Sequence, residues 1–302
     1  MLANKNRNAV VFERATGKEI CTLDLDQKEM SASLFHNKKL FIGTYVDFLF
    51  MFDVPQNGVF TQAKHKIRTH DSILSIAPIT DHILAIGQAA GYVDFISVGQ
   101  SMDNITHEQF PDSGYINKVA VLSTDKNELA FGCEKGLFFG KFGMNTRRFH
   151  ISAEEYFKGN LISQVFEYAP NKLIASDYFK HGFFLVDRAS NDIRELQNLS
   201  YITKNCTDIK PMPFYNFEKF PYLLTRTQFT INLIDLKKEN IYPLLFDRKP
   251  DFDNEFMSLI EDSNGKIGIV YAVMTKDSKQ DAIKSIILSK KFINGLYHFA
   301  SV

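Results

Sequence analysis

The 302-residue sequence predicts an all-β protein assembled from a repeated unit of about 45 residues. Three observations carry this. A short segment recurs as Leu40-Phe-Ile-Gly43, Leu84-Ala-Ile-Gly87, Leu129-Ala-Phe-Gly132 and Leu173-Ile-Ala-Ser176, at offsets of 44, 45 and 44 residues, with looser copies at Tyr222-Leu-Leu-Thr225 and Ile269-Val-Tyr-Ala272. After the small or hydroxyl residue of five copies come a short turn and an apolar run: Phe48 to Phe52, Tyr92 to Ile96, Leu137 to Phe142, Phe183 to Val186 and Thr230 to Ile234. Further apolar strands flank this pair, such as Ser72 to Ile76 before it and Val59 to Gln62 or Ile193 to Leu196 after it. Short β-branched and aromatic runs bounded by Gly, Asn, Asp and Lys turns are strand signals.

Taken in order, the units fall at about 31–66, 72–110, 115–151, 161–197, 206–246 and 255–299, and residues 9–25 supply two further strands. Four strands in about 45 residues is the arithmetic of a propeller blade. The expectation is one β-propeller domain over 1–302 with seven blades, the first of them incomplete; six blades is the alternative. An incomplete blade at 9–25 would leave a strand edge open to pairing with another chain. The last two units carry longer loops, Phe214 to Phe220 and Thr275 to Asp281.

Several details give these units a family likeness. Asp53 and Asp235 lie ten residues after their small residue and Asp187 eleven, each after a large apolar residue. Thr69-His70-Asp71 stands ahead of a first strand, and Val10 to Ile20 has the form of a third strand, turn and fourth strand. In these features the chain resembles the WD40 repeat family over nearly its whole length. The resemblance implies seven blades, each tied by a His, Ser/Thr, Asp and Trp hydrogen-bond set. Here Val46, Ala90 and Lys135 fall where the turn Asp would be, and the chain has no Trp. The set is therefore largely missing, and blade stability is expected to rest on apolar packing, at about 25 cal/mol per Å² buried.

Composition fits a packed globular protein: 45% hydrophobic, 23% charged, with 28 Phe and 12 Tyr. Lys plus Arg and Asp plus Glu are 35 each, so no net field steers the chain to nucleic acid or to acidic membranes. No segment approaches the ~20 apolar residues of a spanning helix, and the segment MLANKNRNAVVF has no apolar stretch of signal-peptide length. Cys21, Cys133 and Cys206 are odd in number without CxxC spacing, which argues against disulfides and thiolate zinc. The expected compartment is cytoplasm or nucleus, with no membrane partner.

Catalytic motifs are scarce. There is no G-x-S-x-G, no phosphate loop and no dinucleotide loop. His107-Glu108 opens like a zinc helix motif but has Pro111 in place of the second His, and Asp251 to Glu255 opens like a calcium loop but has Phe256 where the sharp turn needs Gly. Neither is read as a metal site, and no cofactor is expected. Asp47, Glu134 and Asp177 lie on second-to-third-strand turns, where carboxylates are usually turn formers. Two basic clusters, Lys64 to His70 and Arg147 to His150, need to converge with others to hold phosphates.

The favoured function is a non-catalytic scaffold that presents loops to other proteins. Tyr45, Tyr115, Lys135, Tyr178, Lys180 and Arg226 are the candidate partner-binding residues, because they sit on turn positions and large or charged side chains anchor interfaces. An RNA- or ribonucleoprotein-associated propeller and a propeller hydrolase with a channel site stay open as alternatives.

Overall fold

The computed structural model describes residues 2–5, 7–12, 19–54, 65–123, 125, 127–178, 182–196, 215–216, 222–226, 230–246, 257–261, 267–273 and 282–288. Every regular element among them is a β-strand except a single 3-10 turn, Ala89–Gly91. The strands form seven antiparallel sheets, each a meander in chain order. The first holds β1 (Leu2–Lys5), β2 (Asn8–Phe12) and β3 (Glu19–Leu23). The second holds β4 (Met30–His36), β5 (Lys39–Thr44), β6 (Phe48–Asp53) and β7 (His65–Arg68). The third holds β8 (Ile73–Thr80), β9 (Ile83–Gln88), β10 (Tyr92–Val98) and β11 (Met102–Gln109).

The fourth sheet holds β12 (Ile116–Val121), β13 (Glu128–Cys133), β14 (Gly136–Gly143) and β15 (Arg148–Tyr156). The fifth holds β16 (Ile162–Ala169), β17 (Lys172–Asp177), β18 (Gly182–Asp187) and β19 (Asp192–Glu195). The sixth holds β20 (Tyr215–Asn216), β21 (Tyr222–Arg226), β22 (Thr230–Asp235) and β23 (Asn240–Phe246). The seventh holds β24 (Met257–Glu261), β25 (Ile267–Val273) and β26 (Ala282–Leu288). By compactness the chain divides into two units, Met1–Ala175 with Val186–Asp192, and Ser176–Leu185 with Ile193–Val302. No helix is long and apolar enough to cross a membrane among the described residues.

All six copies of the recurring segment are second strands, β5, β9, β13, β17, β21 and β25. In the first unit the reason for the small residue is visible. A Cβ on Gly43 would lie 2.4 Å from Ile73 Cγ2, one on Gly87 2.7 Å from Ile116 Cγ2, and one on Gly132 3.1 Å from Ile162 Cγ2. Each glycine thus receives the opening isoleucine of the next sheet; a methyl group has no room at Gly43 and Gly87, and at Gly132 it fits only if Ile162 gives way slightly. The first strands lie side by side in the same order: Ser75 Oγ accepts Val119 N at 3.0 Å, Asn117 Nδ2 donates to Ile162 O at 3.2 Å, and His36 Nε2 stands 3.2 Å from Thr80 O. Three first hairpins carry a bulge at one shared place, between Met30 and Ala32, Ile73 and Ser75, and Ile116 and Lys118.

Core packing in the first unit is aliphatic and phenylalanine-rich. One cluster gathers Phe95, Phe110, Phe131, Phe142 and Phe149 with Val93, Ile116 and Val119. The Phe95 and Phe142 rings stack with centroids 4.6 Å apart, and Phe149 lies where a Cβ on Gly140 would be 2.0 Å from its ring tip. A second cluster packs Phe41, Leu49 and Met51 against Ile73, Ile86 and Ile96, and a third packs Phe139 and Tyr156 against Ile162, Leu173 and Val186.

The aspartates that end third strands have identifiable work. Asp53 pairs with its cross-strand neighbour Lys39 at 2.9 Å, and Asp187 with Lys172 at 3.2 Å. Asp187 Oδ1 also accepts Ala189 N, and Asp235 Oδ1 accepts Lys237 N and Lys238 N at 2.9 Å, so each shapes the following turn. Beyond β18, Arg188 donates to Glu128 at 2.7 Å and to both oxygens of Glu154, its guanidinium lying 4.2 Å from the Phe139 ring centroid. The Arg188 hydrogen bonds hold the Glu154 carboxyl below its usual range, while Tyr156 OH donates to Glu154 at 2.9 Å.

Residues 9–25 do contain two strands, β2 and β3, but β1 pairs β2 on the side that a two-strand reading leaves open, from Leu2 opposite Val11 to Lys5 opposite Asn8. In the second sheet the fourth strand is His65–Arg68; Val59 to Gln62 lie outside the described residues. The same holds for Asp251 to Phe256, for Thr275 to Asp281, and for all of Phe214 to Phe220 but β20.

Candidate interaction face

In the first unit, second-to-third-strand turns and fourth-to-first-strand connections share one end of the sheets, because every meander runs in the same sense. The turns are built from left-handed residues: Asp47 at φ 55°, Ala90 at φ 56°, and Gly136. Asp accepts that conformation readily, whereas Ala does so at a cost of roughly 1–2 kcal/mol. Strain at Ala90 is held by its neighbours, as Gln109 Nε2 donates to Ala90 O at 3.1 Å and Phe110 N to Gly91 O at 2.9 Å.

Hydrogen bonds join turn to connection without a break. Tyr45 N donates to Glu29 O at 3.1 Å, Ser72 Oγ to Tyr45 O, and Ala89 N to Ser72 O at 3.0 Å. Ser113 Oγ donates to Phe110 O at 3.2 Å, Lys135 N to Ser113 O at 3.1 Å, Glu134 N to Tyr115 O at 2.9 Å, and Gly159 N to Lys135 O at 2.8 Å. On this rim stand three large apolar side chains that water reaches: Tyr45 at 44% exposure, Val46 at 47% and Tyr115 at 51%. These hydrogen bonds tie turns to connections, so the tyrosines are presented by an ordered frame rather than by loose loops.

Behind the rim lies a polar cluster in which the exposed His70 covers the buried Asp94 and Gln88. His70 Nδ1 stands 2.8 Å from Oδ1 of the fully buried Asp94, and Gln88 Oε1 accepts Asp71 N at 2.7 Å. The His70 ring stacks on Tyr92 with centroids 5.1 Å apart and lies tilted against His107 at 4.1 Å. Asp94 Oδ2 and Gln88 Nε2 are buried with no hydrogen-bond partner among the described residues. The sequence places Ala90, not an acid, at the turn facing His70; the structure supplies the carboxylate from inside β10 instead, so the Thr69–Ser72 connection is anchored despite the altered repeat.

Of the sequence-derived candidates, Tyr45, Tyr115 and Lys135 come together on this end. Tyr178 is half-buried after β17 and belongs to the second unit. Lys180 lies outside the described residues, and Arg226 closes β21 with its side chain outside them. Among the turn carboxylates, Asp47 is bound to Arg68 at 2.7 Å, Asp177 is buried, and Glu134 Oε2 accepts Tyr115 N at 3.4 Å. Val46 and Ala90, read in the sequence as absent aspartates, are exposed beside the tyrosines. No three His, Cys, Asp or Glu side chains converge as metal ligands among the described residues.

The basic clusters do not converge into a phosphate site within this unit. Lys66 is bound to Asp26 at 2.6 Å and Arg68 to Asp47. Phe149, between Arg148 and His150, is buried in the phenylalanine cluster.

No protein-family model matches the chain, and no curated protein matches it in sequence. Solved structures do match. A functionally unknown protein from Desulfotomaculum acetoxidans DSM 771 superposes with TM-score 0.68 at 10% identity, over 94% of this chain and 92% of that one. A chain of the mitotic checkpoint complex gives 0.67 at 11%, over 96% and 86%. The computationally designed Ika8 protein gives 0.59 at 11%, over 93% and 83%. At such identities the likeness is one of fold, and repeated four-stranded antiparallel sheets in an all-β chain are consistent with a β-propeller.

Proposed function

We propose that the chain is a WD40-like β-propeller of seven blades, acting in cytoplasm or nucleus as a non-catalytic platform that holds other proteins on its turn end. Seven antiparallel sheets among the described residues support the blade number. The observation that carries the functional reading is the hydrogen-bonded rim that presents Tyr45, Val46 and Tyr115 to water. Exposed tyrosines on a rigid frame bind at low entropic cost, since little conformational freedom is left to lose. The structurally similar chain from the mitotic checkpoint complex belongs to a multiprotein assembly, which agrees with protein partners.

The test is affinity purification of the tagged chain from its own cells at low and high salt, with wild type beside Tyr45→Ala and Tyr115→Ala. Protein partners that survive high salt and are lost from the variants are expected. RNA released by salt would favour the ribonucleoprotein reading, and recovery of the chain alone would refute the platform.

A further inference from the structure

We infer that β1, at the edge of the first sheet, takes an extended segment of a partner protein as the first strand of that sheet; the site lies apart from the tyrosine rim and goes beyond the platform reading. Register identifies the place. Ala9 stands opposite Asn4 and Leu23, as Leu49 in the second sheet stands opposite Gly43 and Ile67. β1, β2 and β3 thus correspond to second, third and fourth strands, and among the described residues no first strand pairs with β1.

The second sheet carries the matching observation. Ala32 and Leu34 of one first strand pack against the cluster that holds Ile76 of the next, and Ala77 shares a cluster with Val119 of the next after that, so Ile76 and Val119 are buried. Ser33 has the same register position on β4, yet it is exposed, and Phe35 two residues on is 63% exposed. Both share a face with their partners Ile42 and Leu40, which pack against Ala9 and Leu23 of the first sheet.

The sister sheets set the chemistry of the occupant. It runs antiparallel to β1 and turns small or aliphatic side chains toward β4 at alternate positions, as Ala32 and Leu34 do toward the third sheet. The residue ahead of a first strand meets the second-to-third turn of its own sheet, as Glu29 O accepts Tyr45 N. In the first sheet that turn carries the exposed Arg7, which favours an acidic residue there. A second copy offers no spare first strand among the described residues, because β4, β8, β12, β16, β20 and β24 are each paired with their own second strands.

Residues 29–36, Glu-Met-Ser-Ala-Ser-Leu-Phe-His, have the required pattern and serve as the probe. By fluorescence anisotropy the labelled peptide should bind the full chain, and a scrambled peptide should not. Lys5 and Asn8 close a two-residue hairpin and form a hydrogen-bonded pair, so alternation leaves the Asn4 N–H on the free edge. Asn4→Pro removes that donor and spares the β1–β2 ladder, while Phe35→Ser removes the apolar contact. Each should weaken the peptide about tenfold or more without moving the urea midpoint. A graft of residues 29–39 directly ahead of Met1 reproduces the spacing from β4 into β5; it should raise the urea midpoint and block the peptide, and a scrambled graft should do neither. No peptide binding, equal binding of the scrambled peptide, full affinity in both variants, or a graft that adds no stability would overturn the inference. A dimer of the chain that Asn4→Pro dissolves would give the place to a second copy and overturn it too.

Discussion

Replacing Gly87 by alanine tests the packing rule that generates the repeat. The added Cβ would sit 2.7 Å from Ile116 Cγ2, 2.8 Å from Val119 Cγ2 and 3.2 Å from the Ile116 carbonyl oxygen. Neither side chain has room to yield, because both are buried in the cluster that contains Phe131 and Phe95. Overpacking of this kind costs about 1–3 kcal/mol. Alanine also narrows the unfolded ensemble, which returns about 0.4–1 kcal/mol where the backbone is compatible. A net loss of about 1–2 kcal/mol follows from the difference. Gly99 is the internal control, since a Cβ there meets nothing within 4 Å and Gly99→Ala should be neutral or slightly stabilising. Urea denaturation followed by far-UV circular dichroism and tyrosine fluorescence gives both values on one scale. Adding Ile116→Ala to Gly87→Ala should cost less than the separate losses together, because the colliding methyl is gone. Equal stability of the Gly87 and Gly99 variants would refute the account of the small residue.

Removing the guanidinium in Arg188→Met takes from Glu128 and Glu154 the cation they share, and about 2 kcal/mol of stability should be lost. Because the folded Glu154 carboxyl lies below its ordinary value of 4.5, its contribution is complete above that value and is lost as pH falls below it. Urea midpoints measured down through the acid range should therefore fall less steeply in Arg188→Met than in wild type. His70→Phe keeps a ring against Tyr92 but strips the buried Asp94 of its partner; faster amide exchange at residues 69–72 and a loss of about 1–3 kcal/mol are expected. Ala90→Gly relieves the left-handed strain at φ 56° and should stabilise by up to about 1 kcal/mol in the same urea assay, despite the looser unfolded chain. Burial pushes the Cys133 thiol far above its ordinary range, so a disulfide reagent such as DTNB should modify the half-buried Cys21 in the native protein and Cys133 only after unfolding.

Second and third strands were legible in the sequence because they are buried on both faces, and packing dictates their residues one by one. The first glycine signature, Leu40 to Gly43, is a record of Ile73 pressing on Gly43. Outer strands leave a fainter trace. β15 is exposed at most positions from Arg148 to Glu155, so little periodicity is imposed on it, and β7 is only four residues, His-Lys-Ile-Arg, half of them exposed. β1 is four residues, Leu-Ala-Asn-Lys, too short to show a period at all. The exposed placement of Tyr45 and Tyr115 was legible because the repeat marks where turns and connections fall. The His70–Asp94 pair escaped because its acid comes from within β10, where a buried carboxylate looks like an interruption of an apolar run.

The bulges in the first hairpins make residue count, rather than residue identity, the quantity that first strands must preserve. On one side of the bulge Ile73 faces Gly43, and on the other Ser75 reaches Val119 N. In a regular ladder that kept Leu74, Ile73 and Ser75, two positions apart, would share one face, so without the bulge Ile73 would turn away from the glycine that receives it. A sequence of this kind can drift through many substitutions, down to a tenth identity with other chains of the same architecture, provided that length between bulge and turn is kept. Insertions and deletions should then be tolerated between fourth and first strands and excluded from first strands, a pattern of spacing that would identify distant relatives where residue matching fails.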